Sequence, residues 1–122
     1  MLERFSPRTT LAVSDLARAK TWYEQKLGLK PTAEFLAGLT YECGEGSFAL
    51  FPTPNAGSAK NTVMEWTVDD VEEVVTALKG RGVTFDTFEM DGVEWNGEIA
   101  VTGGRKAAWF RDSEGNILAI TD

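Results

Sequence analysis

The chain has 122 residues, enough for one domain with its own core. It carries 12 Lys+Arg against 19 Asp+Glu, a net charge of −7 with no basic run, which argues against a nucleic-acid partner. Cys43 is the sole cysteine, so no intrachain disulfide is available. No apolar run approaches the ~20 residues of a membrane span, and the first residues lack a secretory layout; the expected setting is cytoplasmic, away from membranes.

The first expected strand is Arg8–Val13. A helix follows over about Asp15–Leu27, because Leu16, Ala19, Tyr23 and Leu27 recur at spacings of three and four and make one apolar face. Ser14 or Asp15 caps its start, and Gly28 sits where a left-handed C-terminal cap is wanted. Strands are expected over Pro31–Phe35, Leu39–Cys43 and Ser47–Phe51. The segment Pro52–Asn61, rich in Pro, Gly, Ser, Asn and Ala, supplies a linker.

The pattern then repeats. Val63–Val68 reads as a strand and Asp70–Arg81 as a helix with Val71, Val74, Val75 and Leu78 on one stripe. Asp69 and Glu72 are spaced as a capping box, and Gly82 ends the helix. Strands over Thr84–Phe88, Lys106–Arg111 and Asn116–Thr121 follow, with Glu89–Arg105 as a long glycine- and acid-rich connection. Leu11-Ala-Val-Ser-Asp-Leu16 aligns with Trp66-Thr-Val-Asp-Asp-Val71 at an offset of about 55 residues, and Lys26-Leu-Gly-Leu29 with Gly80-Arg-Gly-Val83. The expectation is a single α+β domain over 1–122, made of two βαβββ modules (1–52 and 62–122) with a linker at 53–61. Each sheet carries its helix on one face and leaves the other free.

Three segments carry a family resemblance: Leu11-Ala-Val-Ser-Asp-Leu-Ala-Arg-Ala-Lys-Thr-Trp-Tyr23, Leu27-Gly-Leu29, and Ala108-Trp-Phe-Arg-Asp-Ser-Glu-Gly-Asn-Ile-Leu118. In this order and spacing they resemble the vicinal-oxygen-chelate superfamily. That group includes glyoxalase I, extradiol dioxygenases, fosfomycin-resistance enzymes and bleomycin-binding resistance proteins. The resemblance implies a cupped, antiparallel-rich mixed sheet with helices on its outer face. It also implies homodimers with shared clefts and, in the enzymes, a divalent metal held by His, Gln or Glu. The fold hosts several chemistries and some pure binders, so it does not decide the function.

Carried over by spacing, the metal-ligand positions are Arg8, Ala49, Val63 and Ala119. None can ligate: Arg offers no lone pair, and Ala and Val have no donor atom. The chain also has no His. No metal or other cofactor and no catalytic residue is therefore assigned.

Strand alternation then sets which residues the resemblance turns toward the cleft. They are Arg8, Thr10 and Ala12 on the first strand, Phe51, then Val63, Glu65 and Thr67, and finally Trp109 and Arg111. Leu11, Val13, Met64, Trp66, Val68 and Phe110 face the helices. Trp22 reads as a core-edge or dimer-contact residue. Arg8 and Glu65 either pair with each other or meet a ligand, and Trp95 is a candidate contact from the long connection. The expected ligand-binding set is Arg8, Thr10, Phe51, Val63, Glu65, Trp95, Trp109 and Arg111. The leading expectation is a non-catalytic binder of an aromatic or cationic antibiotic, holding it intact. Two alternatives stay open: a metal-independent enzyme with Glu65 as acid/base, and a structural partner whose cleft is filled by its own lid.

Overall fold

A computed structural model describes residues 1–122. After a 3-10 turn over Leu2–Arg4, the first half runs β1 (Thr9–Val13), α1 (Leu16–Leu27), β2 (Ala33–Phe35), β3 (Gly38–Cys43) and β4 (Gly46–Pro52). The second half runs β5 (Thr62–Thr67), α2 (Val71–Gly80), β6 (Phe85–Asp86), β7 (Glu94–Asn96), β8 (Ile99–Thr102), β9 (Arg105–Arg111) and β10 (Ile117–Thr121). Hydrogen bonding divides the strands into two mixed sheets. The first has the order β1-β4-β3-β2 and the second β5-β10-β9-β8-β7, with β6 also on β9. In each, the leading strand pairs in parallel with the last strand of its half. The α+β architecture of two βαβββ units is thus the one the sequence implied.

The helix ends follow from local chemistry. Asp15 has an extended backbone and its carboxylate accepts from the Arg18 amide at 3.0 Å, satisfying a donor that the first turn leaves free. Gly28 closes α1 at φ 70°, a left-handed conformation that a side chain would strain. In α2 the cap falls one residue later than the spacing of Asp69 and Glu72 suggests. Asp70 is the extended residue, and it accepts from the Glu73 amide at 3.0 Å.

The long connection over Glu89–Arg105 is not without strands. It holds the β7–β8 hairpin, turning at Gly97-Glu98 with Gly97 at φ 63°, and β8 then turns into β9 at Gly103 and Gly104, both at positive φ. This hairpin also shortens β6. Strand β9 pairs with β8 through Ala107 and with β6 only at Trp109 and Phe110, so β6 ends at Asp86 instead of Phe88.

Both halves share one core. Leu11, Val13, Phe48 and Leu50 from the first sheet join Phe110, Leu118 and Ile120 from the second in a single buried cluster. Helix α1 serves both sheets. Tyr23 packs on Tyr41 and Phe48, while Trp22 stacks on Phe110 at 6.3 Å. Trp66 meets Phe48 edge-on and Phe110 face-on. Burial of side chains this size contributes roughly 1.5–3 kcal/mol each, so the helix-side faces supply most of the cohesion.

The joint between the halves is polar and closed. The β9–β10 loop, Asp112-Ser-Glu-Gly-Asn116, reaches the junction of β1 and α1. Asp112 is buried and its carboxylate accepts from the Tyr23 hydroxyl (2.7 Å), the Glu114 and Asn116 amides and the Asn116 side chain. Glu114 accepts from the Ser14 and Asp15 amides and from Arg18. The Asn116 side-chain amide donates to the Ala12 carbonyl at 2.9 Å. The linker passes so close that a Cβ on Gly57 would stand 2.6 Å from the Glu114 carbonyl oxygen. No helix is long and apolar enough to cross a membrane.

Candidate functional site

Each sheet turns one face toward its helix and leaves the other open. The alternation expected for β1 holds: Leu11 and Val13 are buried, while Thr10 is exposed. Cross-strand register places Thr10 beside Ala49, and Ala49 beside Thr40. Arg8 lies over the ring of Phe35 at 4.9 Å and donates to the Thr40 hydroxyl at 3.2 Å. Phe35 in turn stacks on Phe51 with ring centroids 6.3 Å apart. Phe35 can lie there because it pairs with Gly38, where an added Cβ would meet the ring at 2.8 Å. The expected Arg8–Glu65 ion pair does not form. The guanidinium instead uses the face of Phe35, a contact that requires no buried carboxylate.

The second sheet's open face carries more aromatic surface. Trp109 projects from the middle of it, opposite Ala119 on β10 and Asp86 on β6. Its indole N–H donates to the Thr62 hydroxyl at 3.0 Å, which fixes the ring. Phe88 packs edge-on against Trp109 at 4.9 Å and against Trp95 at 5.8 Å, and the two indoles lie 6.1 Å apart. Trp95 reaches this cluster because it sits on β7, paired with Ala100 of β8. Phe88 and Met90 remain 42% and 40% exposed, so the cluster is open at its rim.

Trp109 borders three hollows. One of about 410 Å³ lies among Glu65, Thr67, Met90, Lys106 and Thr121. Another of about 590 Å³ runs along Thr62, Val63 and Glu65 to Thr9 at the edge of β1. The third, about 430 Å³, reaches Lys60, Asp86, Phe88 and Arg111. Arg111 and Asp86 form an exposed ion pair at 3.5 Å. Glu65 is exposed and its carboxylate makes no hydrogen bond or ion pair.

The expected set therefore divides in two. Val63, Glu65, Trp95, Trp109 and Arg111 gather on the second sheet. Arg8, Thr10 and Phe51 lie on the first, and none of the hollows around Trp109 includes them. Sequence reasoning missed Phe35 and Phe88, which complete the two aromatic groups. For Phe35 a signal existed, since an aromatic residue shortly before the glycine of a hairpin commonly covers it.

The residues do not fit a divalent metal. Ala49 and Ala119 present buried methyl groups, Arg8 is committed to Phe35, and Val63 has no donor. Nowhere do three His, Cys, Asp or Glu side chains converge.

The profile of the Glyoxalase/Bleomycin resistance protein/Dioxygenase superfamily matches residues 6–120. The chain belongs to this superfamily. Solved structures with the same fold include UcmS2, at 20% identity, 97% coverage of both chains and a TM-score of 0.76. A glyoxalase/bleomycin resistance protein from Catenulispora acidiphila aligns at 21% identity, 96% of both chains and 0.71. A lactoylglutathione lyase from Agrobacterium tumefaciens aligns at 18% identity, over 93% of this chain and 90% of its own, with 0.66. No curated protein sequence matches the chain. At these identities the superfamily likeness speaks for fold.

Proposed function

We propose that this superfamily member binds an aromatic small molecule on the open face of its second sheet and releases it unchanged. The carrying observation is the Phe88–Trp95–Trp109 cluster, three rings within 4.9–6.1 Å on an otherwise accessible face. Flat rings stack on such a surface, each pair contributing about 0.5–1.5 kcal/mol beyond area burial. Glu65 stands beside the cluster without a partner, so a ligand with a cationic group finds an unclaimed carboxylate there. The methyl and isopropyl groups at the carried-over ligand positions favour holding a molecule over activating it. An antibiotic of the aromatic or cationic kind, sequestered without reaction, suits this site. The name bleomycin resistance protein among the relatives supports that direction.

The second part of the proposal is a homodimer. Within one chain, Arg8, Phe35 and Phe51 form an aromatic face that no hollow near Trp109 shares. A second copy presenting that face over Trp109 would close the site with a cation and two further rings.

A tryptophan-fluorescence titration against aromatic antibiotics, with ligand mass checked afterwards, tests the reading. Saturable quenching with unchanged mass is the expected result. Altered mass would instead put Glu65 forward as acid/base, and silence across the panel would remove the stacking role.

A further inference from the structure

A cavity lies on the helix side of the second sheet, on the face opposite Trp109. Its volume is about 170 Å³, and all eight residues that line it are hydrophobic. Phe110 and Ile120, both buried, belong to the sheet. Trp66 runs nearly parallel to Phe110, with 16° between planes and 6.4 Å between centroids, and both rings line the hollow. Val74 and Leu78 stand one turn apart on α2 and project to the same side. Leu27 and Leu29 complete the lining from the end of α1.

The frame around this cavity is fixed. Leu27 and Leu29 flank Gly28, whose left-handed backbone turns the chain there. Arg81, at the end of α2, donates from Nε to the Lys26 carbonyl and from Nη2 to the Glu24 carbonyl, each at 3.2 Å. These bonds tie the two helix ends together beside the cavity. Leu27, Leu29, Trp66, Val68, Val74 and Leu78 are only partly buried, so a molecule enters without unfolding the core.

The lining also selects the occupant. The hollow is partly open to solvent, and water inside it finds no polar side chain among the eight hydrophobic residues that line it, so an apolar group displaces that water at little cost. A charged or hydroxyl-bearing group would lose its hydration with no compensating bond. We propose that this cavity is a second ligand site, specific for a compact uncharged hydrocarbon group about the size of one aromatic ring. It is separate from the aromatic face around Trp109 and does not depend on what that face binds.

Benzene titration of the wild-type chain, followed by methyl NMR, tests the site. Saturable shifts are expected at the methyl groups of Leu27, Leu29, Val74, Leu78 and Ile120, and benzoate should produce none there. Val74→Phe fills the space and should abolish the shifts, whereas Trp109→Ala should leave them intact. Should Val74→Phe fail to fold, Val74→Leu adds one methylene and should weaken binding. Absence of saturable shifts at these methyls, shifts confined to the surroundings of Trp95 and Trp109, or undiminished affinity in a folded Val74 variant would each overturn the proposal.

Discussion

Strand β9 and the loop after it hold two regions built on opposite plans. At Asp112–Asn116, polar groups are buried and each carboxylate has several partners. Three residues earlier, at Trp109, large apolar rings stand at the surface and one hydrogen bond, to Thr62, anchors them. Hydrophobic residues usually hold a fold while polar ones meet solvent. Here a polar loop adds to the shared core in holding the halves together, and a second set of apolar rings is offered outward. An exposed aromatic cluster beside a fully satisfied joint is the stronger indication of function, since the joint has nothing left to bind.

The contrast is broken most severely by removing the joint's charge. Glu114→Ala leaves the Ser14 and Asp15 amides without their acceptor and returns the half-exposed Arg18 guanidinium to water, and about 2–4 kcal/mol of stability should be lost. Urea unfolding monitored by circular dichroism measures this.

A milder test titrates the same group. Hydrogen bonding from Arg18, with help from Ser113, Asp15 and Ser14, holds the Glu114 carboxyl at about 2 against an ordinary value of 4.5. A depressed folded-state pKa stabilises the native state above the unfolded value and loses that effect as pH falls through the folded value. Stability should therefore drop from pH 4.5 toward pH 2 by about 3 kcal/mol, since each unit corresponds to about 1.36 kcal/mol. Glu114→Gln should flatten this limb of the stability profile, and an unaltered profile would assign the acid transition to other carboxylates.

On the other region, Trp109→Ala should cut ligand affinity by about tenfold, the scale of one stacked pair. It should leave the acid limb of the stability profile in place, because Trp109 makes no contact with the joint's hydrogen bonds. The smallest effect concerns the first sheet. Arg8→Ala removes an exposed cation–π contact and should cost about 0.5–1 kcal/mol in monomer stability. If a second copy closes the site, the same substitution should also weaken self-association, which sedimentation equilibrium reads separately.

Much of the fold was legible because its signals are local. Asp15, Gly28 and the alternation of Leu11 and Val13 each act within a few residues of their partners, and the structure places them as expected. The β7–β8 hairpin carried an equally local mark in Gly97, the first residue of its two-residue turn, hidden among the surrounding glycines and acids. The candidate site was less legible because register decides it. Arg8 finds Phe35 across two intervening strands, a relation that no spacing along the chain records. The loop Asp112-Ser-Glu-Gly-Asn116 carried the family resemblance. Its partners, Ala12, Ser14, Asp15 and Tyr23, lie about 90–100 residues away, so its role as a joint was not visible from spacing.

The amides of that joint have a further use. Ser14, Asp15, Glu114 and Asn116 all donate to side-chain carboxylates and lie outside any strand ladder. The Ser14 and Asp15 bonds cross from one half to the other, so their hydrogen–deuterium exchange reports the parting of the two halves; the Glu114 and Asn116 bonds close within the loop and report its own opening, and amides within the ladders report the melting of each sheet. A fusion, crowding agent or bound ligand that loosens the halves would accelerate Ser14 and Asp15 first and leave Glu114 and Asn116 as internal references, and the chain would register its own opening without an added label.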